Sequence, residues 1–238
     1  MIHLVSEDLA SRCGSSLCPD CPMTRLDVLA SMIPPSTGTC AFRSLAVRAR
    51  DPLPPRWFKE FGLGVVRRGI VFRQRLDAHG RAIAVDAVGA GGLLPLGMAI
   101  GGGEDANVSG YAVTDVLICA CPKDAIRASM DVDRQIPRDV VRLQAQAIDR
   151  MEGLVDARGR MTVIERVAAM ICALVDKLSP FRQTDVIPPD LHQSDLAALV
   201  SARQETVCRA LCALERRGLI ARDGDGIRIA DRARLEAV

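Results

Sequence analysis

Ser194-Asp195-Leu196-Ala197-Ala198-Leu199-Val200, then Ser201-Ala202, then Arg203-Gln204-Glu205-Thr206-Val207-Cys208-Arg209-Ala210-Leu211-Cys212-Ala213-Leu214-Glu215-Arg216-Arg217-Gly218, is the most strongly organised stretch of this chain. Ser194 reads as the N-cap of a short helix. Ser201 reads as the cap of a second helix, Arg203 to Arg217, which Gly218 stops. Leu219-Ile220-Ala221-Arg222 and Ile227-Arg228-Ile229 flank Asp223-Gly224-Asp225-Gly226, the pattern of two short strands around a tight turn. Helix, turn, helix and two-stranded wing is the order of a winged helix-turn-helix. Val207, Leu211 and Leu214 share one face of the second helix and are expected to pack inward. Glu205 and Arg209, four apart, share the opposite face with Gln204 and Cys208 beside them. A glutamate there can accept from a cytosine amino group and an arginine can fork onto guanine. An ordinary surface ion pair is the competing reading.

Working outward, Val140, Leu143, Ala147, Met151 and Leu154 recur at steps of three and four after Pro137, a narrow stripe suited to a helix pairing with its twin. A second helix is expected from about Thr162 to Leu178. Val186-Ile187 is a candidate short strand. Between Phe42 and Pro122 the pattern is short apolar runs divided by turns: Val65-Val66, Gly69 to Phe72, Ala82 to Val85, and Ala112 to Ile118 read as strands. Asp77-Ala78-His79-Gly80 reads as a hairpin turn. The fold class expected is α+β: an N-terminal antiparallel β-barrel, a long helix, and a C-terminal winged helix-turn-helix. The corresponding divisions are residues 1–30, 31–136, 137–160 and 161–238.

At the other end, Cys13-Gly-Ser-Ser-Leu-Cys18-Pro-Asp-Cys21 crowds three thiols into a polar segment, where they call for a metal, oxidation or separation. A helix is expected over Leu26 to Met32, before Pro34-Pro35. With nine cysteines in 238 residues, no basic-then-apolar leader and no run long enough to span a membrane, the expected location is the cytoplasm and the thiols are expected reduced or metal-bound. The chain is 49% hydrophobic and 25% charged, with net charge +2, so electrostatics alone do not point to nucleic acid. His3, His79 and His192 are scattered, and neither a nucleophile–base pair nor a P-loop lysine is present, so enzymatic activity is not expected.

The residues quoted from Ser194 to Ile220 resemble the CRP/FNR family of bacterial transcription regulators, and the likeness extends more loosely over the long helix and the glycine-divided strands. The resemblance implies a cyclic-nucleotide-binding-like barrel, a homodimer on a two-fold symmetric double-stranded operator, RNA polymerase as a partner, and a DNA-binding set of Gln204, Glu205, Cys208 and Arg209, with Glu205 and Arg209 at the base-contacting positions. The FNR-type serine between the glutamate and arginine is replaced here by Cys208. Gly89 to Gly97 and Asn107 to Ala112 lack the arginine of the family's phosphate cassette, so cyclic AMP is not expected as the effector. Cys18 and Cys21 are similar to the central pair of the FNR cysteine pattern, and Cys119 stands before Pro122 as the distant FNR ligand stands before its proline. The resemblance thus implies a [4Fe–4S] cluster sensing oxygen, nitric oxide or redox state, held by Cys13, Cys18, Cys21 and Cys119. The next FNR cysteine falls on Asp27, an alternative ligand. On a strand Cys119 and Cys121 share a face, so spacing does not separate them. A zinc site, a thiol–disulfide switch and a small effector in the barrel are the other readings. Cys172, Cys208 and Cys212 are expected as small apolar helix residues.

Overall fold

A computed structural model describes residues 42–76, 79, 82–95, 108–178 and 185–238. Seven N-terminal strands form two antiparallel sheets. The first contains β1 (Arg43–Val47), β2 (Phe61–Arg68), β5 (Leu93–Pro95) and β7 (Val116–Pro122), in the order β1-β7-β2-β5. The second contains β3 (Val71–Leu76), β4 (Ala82–Val88) and β6 (Val108–Ala112), in the order β4-β3-β6. Alternation sends one set of side chains from each sheet into a shared core: Val47, Phe61, Val66 and Ile118 meet Val71, Val88 and Ala112, with Trp57 of helix α1 (Pro55–Glu60) at the end. Among the described residues the two sheets are separate rather than one closed barrel.

The apolar run from Ala112 to Ile118, expected as one strand, is two: β6 ends at Ala112 and β7 starts at Val116. Thr114 Oγ1 accepts from the Ile70 amide at 3.0 Å and Asp115 Oδ1 from the Ala49 amide at 2.8 Å. Short polar side chains that satisfy main-chain donors favour turns over ladders. Likewise the strand expected from Gly69 starts only at Val71, because Gly69 has φ +87° and a Cβ there would collide with the Asp115 carbonyl. β3 and β4 pair antiparallel on either side of the expected hairpin turn, most of which lies outside the described residues.

Three helices follow: α2 (Lys123–Val132), α3 (Gln135–Gly159) and α4 (Val163–Leu178). The sequence reading does not mark α2, and with reason: Ile126 is the single residue it buries. Pro137 is tolerated in the first turn of α3, where its missing N–H has no partner to lose. The stripe expected to pair with a twin is corrected at its ends. Val140 and Leu154 are buried within the chain's own fold, Leu154 against α4 and β4. Among the described residues, the large apolar side chains that α3 presents to solvent are Val141, Ile148 and Val155, 62%, 50% and 63% exposed.

The C-terminal head contains β8 (Val186–Ile187), α5 (Gln193–Val200), α6 (Gln204–Arg216), β9 (Ile220–Asp223), β10 (Gly226–Ile229) and α7 (Arg232–Glu236). The wing is three-stranded, β8-β10-β9, rather than two-stranded, because Val186-Ile187 pairs with Ile227-Arg228. Both expected caps shift. His192, not Ser194, caps α5, and its amide donates to Asp195 Oδ2 at 2.8 Å. Ser201 closes α5 in the left-handed region at φ 53°, and Arg203 begins α6. One apolar cluster runs unbroken from Phe72, Ala84 and Ala87 of the second sheet through Leu154 and α4 to Leu196, Leu211 and Ile220 of the head. No helix among the described residues is long and apolar enough to cross a membrane.

Candidate nucleic-acid interface

The sequence places Val207, Ala210, Leu211 and Leu214 on one side of α6, and all four are buried, three of them fully. That anchoring turns the other side outward. Arg203, Gln204, Glu205, Thr206 and Arg209 are exposed along the first turn and a half, and Cys208 is half-buried at the margin. The helix dipole makes the N-terminal end of α6 attractive to phosphate oxygens. Arg209 and Glu205 form an ion pair with side chains 76% and 74% exposed. A pair that open to water stabilises the helix by roughly 0.3–0.5 kcal/mol, little enough to be exchanged for other partners. So the two readings of Glu205 and Arg209 coexist: they pair in the free chain and remain available.

The wing is tied to α6 by a second ion pair, which the sequence reading missed. Arg222 of β9 reaches Glu215 with Nε at 3.0 Å, Nη2 at 2.5 Å and its backbone amide at 3.2 Å. Hydrogen bonding from Arg222 holds the Glu215 carboxyl below its ordinary range. Arg222 Nη2 also donates to Cys212 Sγ at 3.4 Å, so Cys212 is more than an apolar filler. At the wing tip Gly226 takes φ +122°, and a Cβ there would lie inside the Ile187 carbonyl.

Outside the head, Cys119 and Cys121 alternate along β7 with Ile118 and Ala120, which belong to the inter-sheet core, so the two thiols share the opposite face. They stand across from Val65 and Leu63 of β2 and are 4% and 1% exposed. Cys13, Cys18, Cys21 and Asp27 lie outside the described residues. Among the described residues, no group of three or more histidine, cysteine or acidic side chains is placed to hold a metal ion.

The head geometry has a counterpart in known proteins. A Crp-like helix-turn-helix domain model matches residues 165–238. The nitrogen fixation regulation protein FixK of Bradyrhizobium diazoefficiens is 28% identical over 144 residues, 60% of this chain and 60% of FixK. The match therefore spans less than two thirds of that relative. Solved structures share the whole architecture. FixK2 from Bradyrhizobium japonicum superimposes with a TM-score of 0.68 at 19% identity, over 82% of this chain and 96% of that one. A CRP-family transcriptional regulator from Thermus thermophilus gives 0.62 at 18% identity, over 81% and 95%. The two-sheet domain with its long helix and helix-turn-helix head thus has the CRP-like fold of these structures.

The head is also gripped from the rest of the chain, through residues that sequence reasoning missed. Asp195, 4% exposed at the start of α5, accepts from Arg50 Nη1 at 2.9 and 2.8 Å and from the Tyr111 hydroxyl at 2.6 Å. Arg50 Nη2 adds a 2.5 Å bond to the Asp190 carbonyl. At the other end of α5, Arg158 of α3 donates to the Leu199 carbonyl at 2.5 Å and to the Ala84 carbonyl of β4, and Arg166 of α4 donates to the Val200 carbonyl at 3.2 Å. Cations at these carbonyls complement the helix C-terminus. Spacing carries no trace of such contacts. Asp195 alone had a signal, an acid three residues after the cap.

Proposed function

We propose that the chain is a DNA-binding transcription regulator that acts as a homodimer, with α6 reading a two-fold symmetric duplex. The observation that carries the reading is the row Arg203, Gln204, Glu205, Thr206 and Arg209, solvent-facing on a helix whose opposite face is fully anchored between α5 and the wing. Gln204, Glu205, Cys208 and Arg209 are the residues within reach of base edges when such a helix lies in the major groove. Val141, Ile148 and Val155 supply the dimer contact: they recur every seventh residue on α3 and stay exposed in a single chain. RNA polymerase is the further partner in this reading. Enrichment of duplexes from a random pool by the purified chain tests the reading. A palindromic consensus is expected, and failure to enrich any sequence sinks it.

Within that reading, the N-terminal cysteines hold a [4Fe–4S] cluster and its integrity controls DNA affinity. The donor chemistry fits. Thiolates are the ordinary ligands of such clusters, and Cys119 adds a buried sulfur on a β-strand to Cys13, Cys18 and Cys21, with Asp27 or Cys121 as alternatives. When bound, the cluster would supply sensitivity to oxygen, nitric oxide or redox state; the residues of the chain need only bias a two-state equilibrium of the dimer by a few kcal/mol. Anaerobic purification with iron and acid-labile sulfide analysis decides. Colourless protein carrying zinc would replace the cluster by a zinc site, and Cys119→Ser losing iron while Cys121→Ser keeps it would fix the strand ligand.

A further inference from the structure

We infer that Arg50 and Tyr111 are positioning residues for DNA reading: they latch the head through Asp195 in one orientation without touching DNA. This rests on the DNA-binding reading above. The latch joins three parts of the chain far apart in sequence. Arg50 sits in a turn after β1 at φ 68°, a backbone conformation that a side-chain-bearing residue rarely adopts. The turn is held there by bonds from the Arg50 amide to the Ala112 carbonyl at 2.7 Å and from the Ala112 amide to the Asp51 carbonyl at 2.9 Å. The strained turn thus rides on β6, the strand that also carries Tyr111. The Tyr111 ring packs edge-on against Phe72, fully buried in β3, with centroids 5.4 Å apart. Guanidinium and phenol are therefore both fixed to the second sheet before they meet Asp195.

Asp195 in turn belongs to the head. Its second oxygen, Oδ2, accepts from the His192 amide and orients the first turn of α5, while Oδ1 accepts a hydrogen bond from the Tyr111 hydroxyl. The carboxylate is shared between the helix cap and the latch. Beneath it the apolar cluster is continuous from sheet to head, and Arg158 and Arg166 hold the far end of α5. An apolar contact tolerates sliding; a guanidinium that holds a buried carboxylate through Nη1 and the Asp190 carbonyl through Nη2 does not. In this docked arrangement the reading row of α6 is left open to solvent. Two heads on one dimer reach two half-sites only if their separation matches the duplex, so an unlatched head must be ordered during binding.

The experiment compares Arg50→Ala, Tyr111→Phe and Arg50→Lys with the parent chain, on a palindromic duplex enriched by the parent and on a duplex carrying one half-site. Tyr111→Phe keeps the ring against Phe72 and removes the hydroxyl alone. The expected result is a loss of about tenfold in full-site affinity for Arg50→Ala, the cost of ordering a freed head, with half-site affinity within about twofold. Tolerance of a changed half-site spacing should rise, and Arg50→Lys should recover part of the loss. Equal losses on both duplexes would mean that the residues only stabilise the head, and no loss would mean that they do nothing for reading; either result overturns the inference. Solution X-ray scattering of the DNA-free dimer gives an arm independent of any operator. A larger maximum dimension for Arg50→Ala supports the latch even if the parent enriches no duplex, which would sink the DNA-binding reading alone. An unchanged dimension overturns the latch.

Discussion

Glu215, one residue from the end of α6, receives three hydrogen bonds from Arg222 of β9, so the wing is fastened to the helix that faces outward. Hydrogen bonding from Arg222 holds the Glu215 carboxyl below its ordinary range, which gives the contact a sign in pH. A depressed carboxylate stabilises the folded head above the ordinary carboxylate pKa, and the contribution is lost as pH falls through the lowered value. The protection of the Arg222 amide, its exchange relative to the unprotected rate at each pH, should therefore fall between neutral pH and pH values of roughly 4 and below, where carboxylates titrate. Glu215→Gln should exchange faster at neutral pH and respond less to acid. An unchanged pH profile in that variant would exclude Glu215 as the titrating group.

Gly226 is the one position of the wing where backbone geometry admits no side chain. With φ at +122° and the Ile187 carbonyl against its α-carbon, Gly226→Ala must move either the turn or β8. Strain of this kind costs on the order of 1–3 kcal/mol. The urea midpoint of the full chain should fall accordingly, whereas Gly224→Ala, with open space around its α-carbon, should leave it nearly unchanged.

Tyr111 predicts the opposite pH sign. Burial first, then the hydrogen bond and charge of Asp195, push its phenol well above the ordinary value near 10. A raised pKa means that stability is fully present below the unfolded value and is lost as pH rises beyond it. Thermal melts between pH 8 and pH values of about 11 should show a falling melting temperature, and Tyr111→Phe should flatten that fall. An identical alkaline slope in both chains would assign the loss elsewhere.

Features set by local pattern were legible in the sequence, and features set by contacts between distant segments were not. The inward side of α6 could be read because Val207, Leu211 and Leu214 recur at helical spacing and Gly218 ends the run, all within fifteen residues of local pattern. On α3 the same reasoning identified the helix but not its free face. Val140 and Val141 are equally apolar, and burial of the first depends on contacts made far along the chain. The caps of α5 shifted for a related reason: Asp195 could have served the cap from sequence alone, but its choice of His192 is fixed together with Arg50, 145 residues away. The single strand expected from Ala112 to Ile118 failed because Thr114 and Asp115 bond to main-chain amides of other segments. For the cysteines, β7 shows that Cys119 and Cys121 share a buried face, as alternation requires, while Cys13, Cys18, Cys21 and Asp27 lie outside the described residues.

Ile148 is the middle of the exposed row on α3, and its substitution tests the dimer. With Val141 and Val155 one heptad to either side, a carboxylate at position 148 would face its own copy across a pairing helix. Ile148→Asp should shift the chain from dimer to monomer in sedimentation velocity while leaving the far-ultraviolet circular dichroism of the fold intact. Persistence of the dimer would move the interface off this face.

Arg209 carries the sharpest prediction about reading. Its partner Glu205 is four residues earlier and both side chains are about three quarters exposed, so removing the ion pair itself costs the fold little. If the guanidinium forks onto a base, Arg209→Ala should lose about 1–3 kcal/mol of discrimination at one base-pair position per half-site and leave the others unaltered. If it instead meets a phosphate, affinity should fall evenly across all sequences and the salt dependence of binding should become shallower by roughly one ion per head. Binding measured against a library of single-position variants of the enriched duplex, at two salt concentrations, separates these outcomes. Glu205→Gln breaks the same ion pair, so a change of preference at a base-pair position different from that altered by Arg209→Ala gives each residue its own contact, whereas the same position altered in both locates the effect on the pair.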